Sequence, residues 1–169
     1  IFSVRARIST GNTSESNWER WNSDGEIRGG IVFILACHLI DIIVSLMGRP
    51  GQVTPFLRHD GSKFDWYKDN NVVIFEYANG QAVLESTALE ILPGSSRRIE
   101  VYGTRGTIIM EPMEPPELRL CLDIDRDGYR KGWQIVKVEA RPRYVESLRA
   151  FVADIRGQKK PDRSLNHEY

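Results

Sequence analysis

The residues best suited to chemistry are His38 and Asp41, and both lie inside the longest apolar run of the chain, Gly29 to Gly48. An imidazole gains and loses a proton near neutral pH, so a histidine held at the edge of a cleft can serve as acid or base. The run reads as a helix, opened by the pair Gly29-Gly30 and closed by Gly48 and Pro50. At about 100° per residue, Ile34, His38, Asp41 and Ser45 share a stripe roughly 60° wide, and every other face is aliphatic. Such a helix is expected to be buried nearly all round, with one polar edge. Three readings are open on spacing alone: a membrane span, a core helix whose polar pair is satisfied by nearby backbone, and a helix that offers His38 to a cleft. A span is disfavoured, because Asp41 near its centre would cost on the order of 3 kcal/mol and the flanking segments read as amphipathic strands.

Around this helix the chain alternates in the manner of strands. Phe2 to Ser9 puts Phe2, Val4, Ala6 and Ile8 on one side. Residues 11–26 read as a polar loop carrying Trp18 and Trp21, which either plug the loop onto the core or form a sugar-stacking platform. Gln52 to Arg58 is a strand that Pro55 confines to an edge or an irregular position. His59, beside the turn pair Asp60-Gly61, is expected to be solvated, and the polar stretch Asp65 to Asn71 holds Trp66 and Tyr67. Val72 to Tyr77 and Gln81 to Leu89 form a hairpin across Asn79-Gly80. After a turn at Pro93-Gly94, Arg98 to Tyr102 and Thr107 to Glu111 form another. Glu117 to Leu122 and Trp133 to Val138 are the last strands. Asp123 to Gly128 copies half of a calcium-binding loop, but Lys131 and Gln134 stand where later ligands belong, so the stretch reads as a hairpin tip turned by Asp127-Gly128, with no metal. A final helix runs from Pro142 through Ile155, with Val145, Leu148, Phe151, Val152 and Ile155 as its buried face.

Several of these segments, in this order, resemble the glucose–fructose oxidoreductase / inositol dehydrogenase (Gfo/Idh/MocA) family. Arg28-Gly29-Gly30 followed by His38, Leu39, Ile40 and Asp41 is similar to its "GGG…D…H-x-x-D" helix. Phe75 to Ala82, Ile99 to Ile108 and Tyr144 to Gly157 are similar to its hairpin, its strand pair and its late helix. The resemblance implies that His38 faces a nicotinamide and a substrate hydroxyl. It implies Asp41 as a hydrogen-bond partner behind His38 or, the reading favoured, a structural hydrogen-bond acceptor, and Arg28, Trp18 and Trp21 as lining of the sugar side of the cleft. Ile34 stands where the family often has an assisting aspartate, so a mechanism needing that carboxylate does not carry over. The substrate implied is a sugar, polyol or cyclitol, and the cofactor is NAD or NADP in the intact parent. A catalytically impaired binding module and a purely structural dimerisation domain are the alternatives.

The 169 residues are 41% hydrophobic and 27% charged, ordinary for one globular domain. The core is expected at about residues 1–157, with a loose tail at 158–169. Net charge is zero, from 23 basic and 23 acidic residues, which leaves no electrostatic footprint for nucleic acid or anionic membrane. Two cysteines make no disulfide framework, and a cytoplasmic location is expected. No strand is followed by G-x-G-x-x-G and no "E-K-P" segment is present. The expectation is therefore an α+β domain: a large, mainly antiparallel open sheet with helices packed on one face, like the C-terminal domain of glyceraldehyde-3-phosphate dehydrogenase. An N-terminal Rossmann domain is absent from this chain, so no activity is expected of it alone. Apolar residues on both phases of strands such as Val73, Ile74 and Phe75 point to a homodimer through the open sheet face.

Overall fold

The computed structural model describes residues 1–11, 30–61, 66–139, 142 and 144–158. They fall into two compact units, Ile1–Val138 and Glu139–Tyr169. The first is built on one sheet of eight strands: β1 Ser3–Ser9, β2 Gln52–Arg58, β3 Asn70–Tyr77, β4 Gly80–Thr87, β5 Arg98–Gly103, β6 Gly106–Met113, β7 Pro116–Leu122 and β8 Gly132–Val136. Their spatial order is β2-β3-β4-β1-β5-β6-β7-β8. All neighbours are antiparallel except β1 and β4, which run parallel with Val4 opposite Ala82 and Ala6 opposite Leu84. Parallel neighbours need a long connection, and here it holds a helix and the β2–β4 hairpins. Pro55 sits in the outermost strand, where a missing backbone donor costs no ladder bond.

The turns follow local chemistry. Gly80 closes the β3–β4 hairpin against the start of the chain. A side chain there would run into the Phe2 carbonyl, whose carbon would lie 2.9 Å from the added Cβ, while Gln81 N–H donates to that carbonyl oxygen at 3.0 Å. Asp127 and Gly128 both have positive φ, 50° and 84°, as a tight hairpin turn requires. Asp125 Oδ1 accepts from the Lys131 N–H at 2.7 Å, so part of the half-motif serves the hairpin itself.

Alternation along the strands gives the sheet two faces. Val4, Ala6, Ile8, Val73, Phe75, Ala82, Leu84 and Ile99 form a buried core on one of them. Against it lies helix α1, Cys37–Met47, preceded by a wide π-type turn over Val32–Ala36. Ala36, Leu39 and Ile43 are the helix residues buried on the sheet. The helix is not buried nearly all round, as its composition suggests. Phe33, Cys37, His38, Ser45 and Leu46 are exposed. A helix lying on a single sheet presents only one face to it, however apolar the rest. Ile34 also leaves the stripe it was expected to share with His38. Ile34, half-buried in the wider turn, packs instead on a small cluster of Ile31, Tyr67 and Ala88.

The second unit contains helix α2, Val145–Ile155, which begins three residues later than expected, after Tyr144 in a left-handed conformation. Its apolar residues Val145, Leu148, Phe151, Val152 and Ile155 do recur at helical spacing, but all are exposed rather than buried. An eleven-residue helix cannot cover its own apolar stripe. The expected tail, apart from Gln158, lies outside the described residues.

Candidate functional site

The site is built on α1, and α1 is held at both ends. Gly30 has φ +57°, and a side chain there would run into the Lys68 backbone. Ile31 N–H donates to the Lys68 carbonyl at 3.0 Å, and the buried Asn71 side chain donates to the same oxygen at 2.9 Å. Lys68 is fixed in turn by its neighbour Asp69, whose side chain has no solvent exposure. Asp69 accepts from the backbone N–H groups of Asp60 at 2.8 Å and Gly61 at 3.1 Å, while its own backbone bonds Arg58 and Ala88. Leu39 and Ile43 seat the helix on the sheet and Met47 packs on the same core at the far end, while Gly48 N–H closes the last turn on the Val44 carbonyl at 2.8 Å.

His59 is not solvated as expected. Its side chain is half-buried, with Nδ1 3.1 Å from the Tyr67 carbonyl and 3.4 Å from Asp69 Oδ2, so it is a structural member of the socket. Tyr67 is 2% exposed and packs edge-on against Trp66, with ring centroids 5.8 Å apart. Burial, and then the nearby Asp69 charge, push the Tyr67 phenol well above its ordinary range. At the rim, hydrogen bonds from Arg58 and Asn70 hold the Asp60 carboxyl down at about 2. The aromatic pair in a polar loop was the legible signal for this socket; the role of Asp69 was not.

On the outward side of α1, His38 is exposed, while Asp41, one turn on, is half-buried. His38 stands free of the aliphatic packing and can meet a ligand. Phe33 and the free thiol of Cys37 are exposed on the same helical segment, a pair that spacing alone did not single out. The other candidates, Arg28, Trp18 and Trp21, lie outside the described residues. Among the described residues no group of three or more metal-ligating side chains occurs, and no helix is long and apolar enough to cross a membrane.

The opposite face of the sheet carries the short 3₁₀ turn Pro93–Ser96, where Ser9 Oγ lies 3.1 Å from the Pro93 carbonyl and 3.0 Å from Ser96 Oγ. Its middle is charged: Arg7 pairs with Glu85 at 3.0 Å and Glu90 at 3.3 Å, and Arg98 lies 3.5 Å from Glu100. Burial opposes the charge on Glu90, but hydrogen bonds from Ser96, Ser9 and Arg7 outweigh it and keep its carboxyl below the ordinary range. Phe56 on one side, and Trp133 and Ile135 on the other, place exposed apolar surface around this belt.

A family model described as "Oxidoreductase family, C-terminal alpha/beta domain" matches residues 1–159. The chain belongs to the Gfo/Idh/MocA oxidoreductase family. It is 30% identical over 138 residues to the uncharacterized oxidoreductase YdgJ of Escherichia coli K12, covering 77% of this chain and 38% of that protein. A putative NADPH-dependent oxidoreductase from Desulfitobacterium hafniense has the same fold, with TM-score 0.74 and 19% identity over 98% of this chain and 50% of that one. So does a levoglucosan dehydrogenase solved with NADH and levoglucosan, with TM-score 0.65 and 21% identity over 82% and 40%. The chain thus spans half or less of the length of these relatives. The match covers the whole eight-stranded sheet and the His38 helix.

Proposed function

We propose that this chain is the substrate-binding and oligomerisation domain of an NAD(P)-dependent oxidoreductase that acts on a hydroxyl of a sugar, polyol or cyclitol. The observation that carries the reading is an exposed imidazole on a helix fixed at both ends. NAD or NADP, when bound in the intact parent, would supply the hydride acceptor. This chain has no G-x-G-x-x-G loop to cradle a pyrophosphate, so its own residues act on the substrate side only. His38 takes the proton from the substrate hydroxyl as the carbinol carbon becomes a carbonyl, and returns it in the reverse direction. Asp41 assists as a neighbouring hydrogen-bonding group, and Arg28, Trp18 and Trp21 line the cleft. The levoglucosan dehydrogenase, solved with NADH and a sugar, supports both the cofactor class and the substrate class.

The test is the full-length gene product, assayed with a panel of sugars and polyols and either dinucleotide. His38→Asn is expected to lower turnover by about 10²–10⁴-fold, the usual worth of a positioned proton-transfer group, with the thermal transition unchanged. Undiminished turnover rejects the assignment. A binding or regulatory module is the second reading. It is favoured by Ile34, an aliphatic residue packed on the Tyr67 cluster where relatives often carry a carboxylate. A wild-type protein inactive on the whole panel but binding one of its members would favour that reading.

The open sheet face is proposed as a homodimer interface, supported by its exposed Phe56, Trp133 and Ile135 around a charged belt. A monomer in sedimentation at micromolar concentration would remove this. A cytoplasmic location belongs to the same reading, supported by the free thiols of Cys37 and Cys121; recovery of the protein from any other cell fraction would contradict it.

A further inference from the structure

The wide turn ahead of α1 changes which side chains share a face. Ile31 and Ala36 are five residues apart, and both are completely buried. In a regular α-helix residues five apart point about 140° from each other. A turn closed by i→i+5 bonds takes more residues per turn, so that angle narrows. Phe33 and His38 are also five apart, and both are exposed. Phe33 in the wide turn and His38 in the first turn of α1 therefore both belong to the outward side of one continuous helical segment. The buried side of this segment is taken by Ile31, Ala36 and Leu39. Its ring is left 63% exposed on an element anchored at both ends.

We infer that Phe33 is a substrate-contacting residue of the site that holds His38. A phenyl face is electron-rich and meets electropositive C–H groups favourably. A sugar or cyclitol ring has such groups on its apolar face and hydroxyls around its rim. Stacked on Phe33, a ring of that kind directs a rim hydroxyl toward the imidazole one turn along. This inference rests on the proposed oxidoreductase reading and names the chemistry by which its substrate is held.

The test uses the full-length gene product with Phe33→Ala, Phe33→Leu and Phe33→Trp, each assayed for KM and kcat on the sugars the wild type oxidises, beside His38→Asn. Loss of the aromatic face, in the Ala and Leu variants, is expected to raise KM about two- to tenfold, the range that aromatic stacking corresponds to. kcat should change less than KM, Trp should retain the wild-type KM, and the thermal transition should stay put because the side chain is exposed. The Leu variant keeps apolar bulk and so separates ring stacking from simple surface coverage. An unchanged KM in the Ala and Leu variants, while His38→Asn abolishes turnover, overturns the Phe33 inference and leaves the oxidoreductase reading standing. A wild type that oxidises no member of the panel, or a fully active His38→Asn, overturns both.

Discussion

Replacing Gly30 by alanine should cost the domain about 2–5 kcal/mol, and the figure can be built up from two sources. The first is conformational: Gly30 has φ +57°, and a side chain in the left-handed region costs about 1–2 kcal/mol. The second is steric. The added Cβ would press on the Lys68 carbonyl oxygen, 2.7 Å from the Lys68 nitrogen and 2.9 Å from its carbonyl carbon, all of it backbone that cannot swing away. Moving Lys68 disturbs the hydrogen bonds that Ile31 N–H and the Asn71 side chain make to its carbonyl, each worth about 0.5–1.5 kcal/mol net. Urea unfolding of Gly30→Ala beside wild type is the assay, with a lowered midpoint and an unchanged slope expected. Gly94→Ala is the control: nothing lies within 4 Å of an added Cβ there and its φ is not positive. It should be neutral or stabilising by about 0.4–1 kcal/mol, through the unfolded chain. A Gly30→Ala protein within about 0.5 kcal/mol of wild type would refute the socket as described, since the uncertainty of one hydrogen bond could not absorb both terms.

Leu39→Ala, which empties a position at the centre of the helix–sheet contact, should lose about 2–5 kcal/mol in the same urea experiment; a smaller loss would mean that the helix is seated elsewhere. Asp60 offers a pH test. Its folded-state carboxyl titrates at about 2, below the ordinary 3.8, because Arg58 and Asn70 bond its charged form. Its contribution to stability is therefore present above the ordinary carboxylate range and is lost as pH falls through about 2. In Arg58→Ala the Asp60 titration, followed by carboxyl-carbon NMR, should move up toward the ordinary value; an unmoved titration would show that Arg58 is not its partner.

Much of the sheet was legible because its signals are local. Asn79-Gly80 and Asp127-Gly128 declare hairpins through backbone conformations that few other residues adopt, and Pro55 marks an edge by lacking a donor. Where the sequence misled, non-local contacts decided. The apolar run containing His38 has a composition that suits burial on all sides, yet only one sheet is there to bury it, and Phe33 and Leu46 remain exposed. The wide turn at Val32–Ala36 is set by two distant anchors, the Lys68 carbonyl and the floor of the sheet, and no residue in the turn announces it. His59 beside Asp60-Gly61 looks like any surface turn, and only the folded position of Asp69 makes it part of a socket. Of the proposed site residues, His38 was singled out by chemistry, whereas Phe33 needed its exposure in the folded segment to be seen.

The placement of β1 has a consequence for how the molecule assembles. The first of the eight strands in sequence order ends up in the middle of the sheet, with Ala6 opposite Leu84 on one flank and Ile99 on the other. Neither flank exists until most of the chain has been made, so the opening segment must wait unpaired while later hairpins form by themselves. Contacts so far apart in sequence are slow to close. The apolar Val4, Ala6 and Ile8 are then the surface most open to a chaperone, or to a wrong partner, until the two halves of the sheet clasp them.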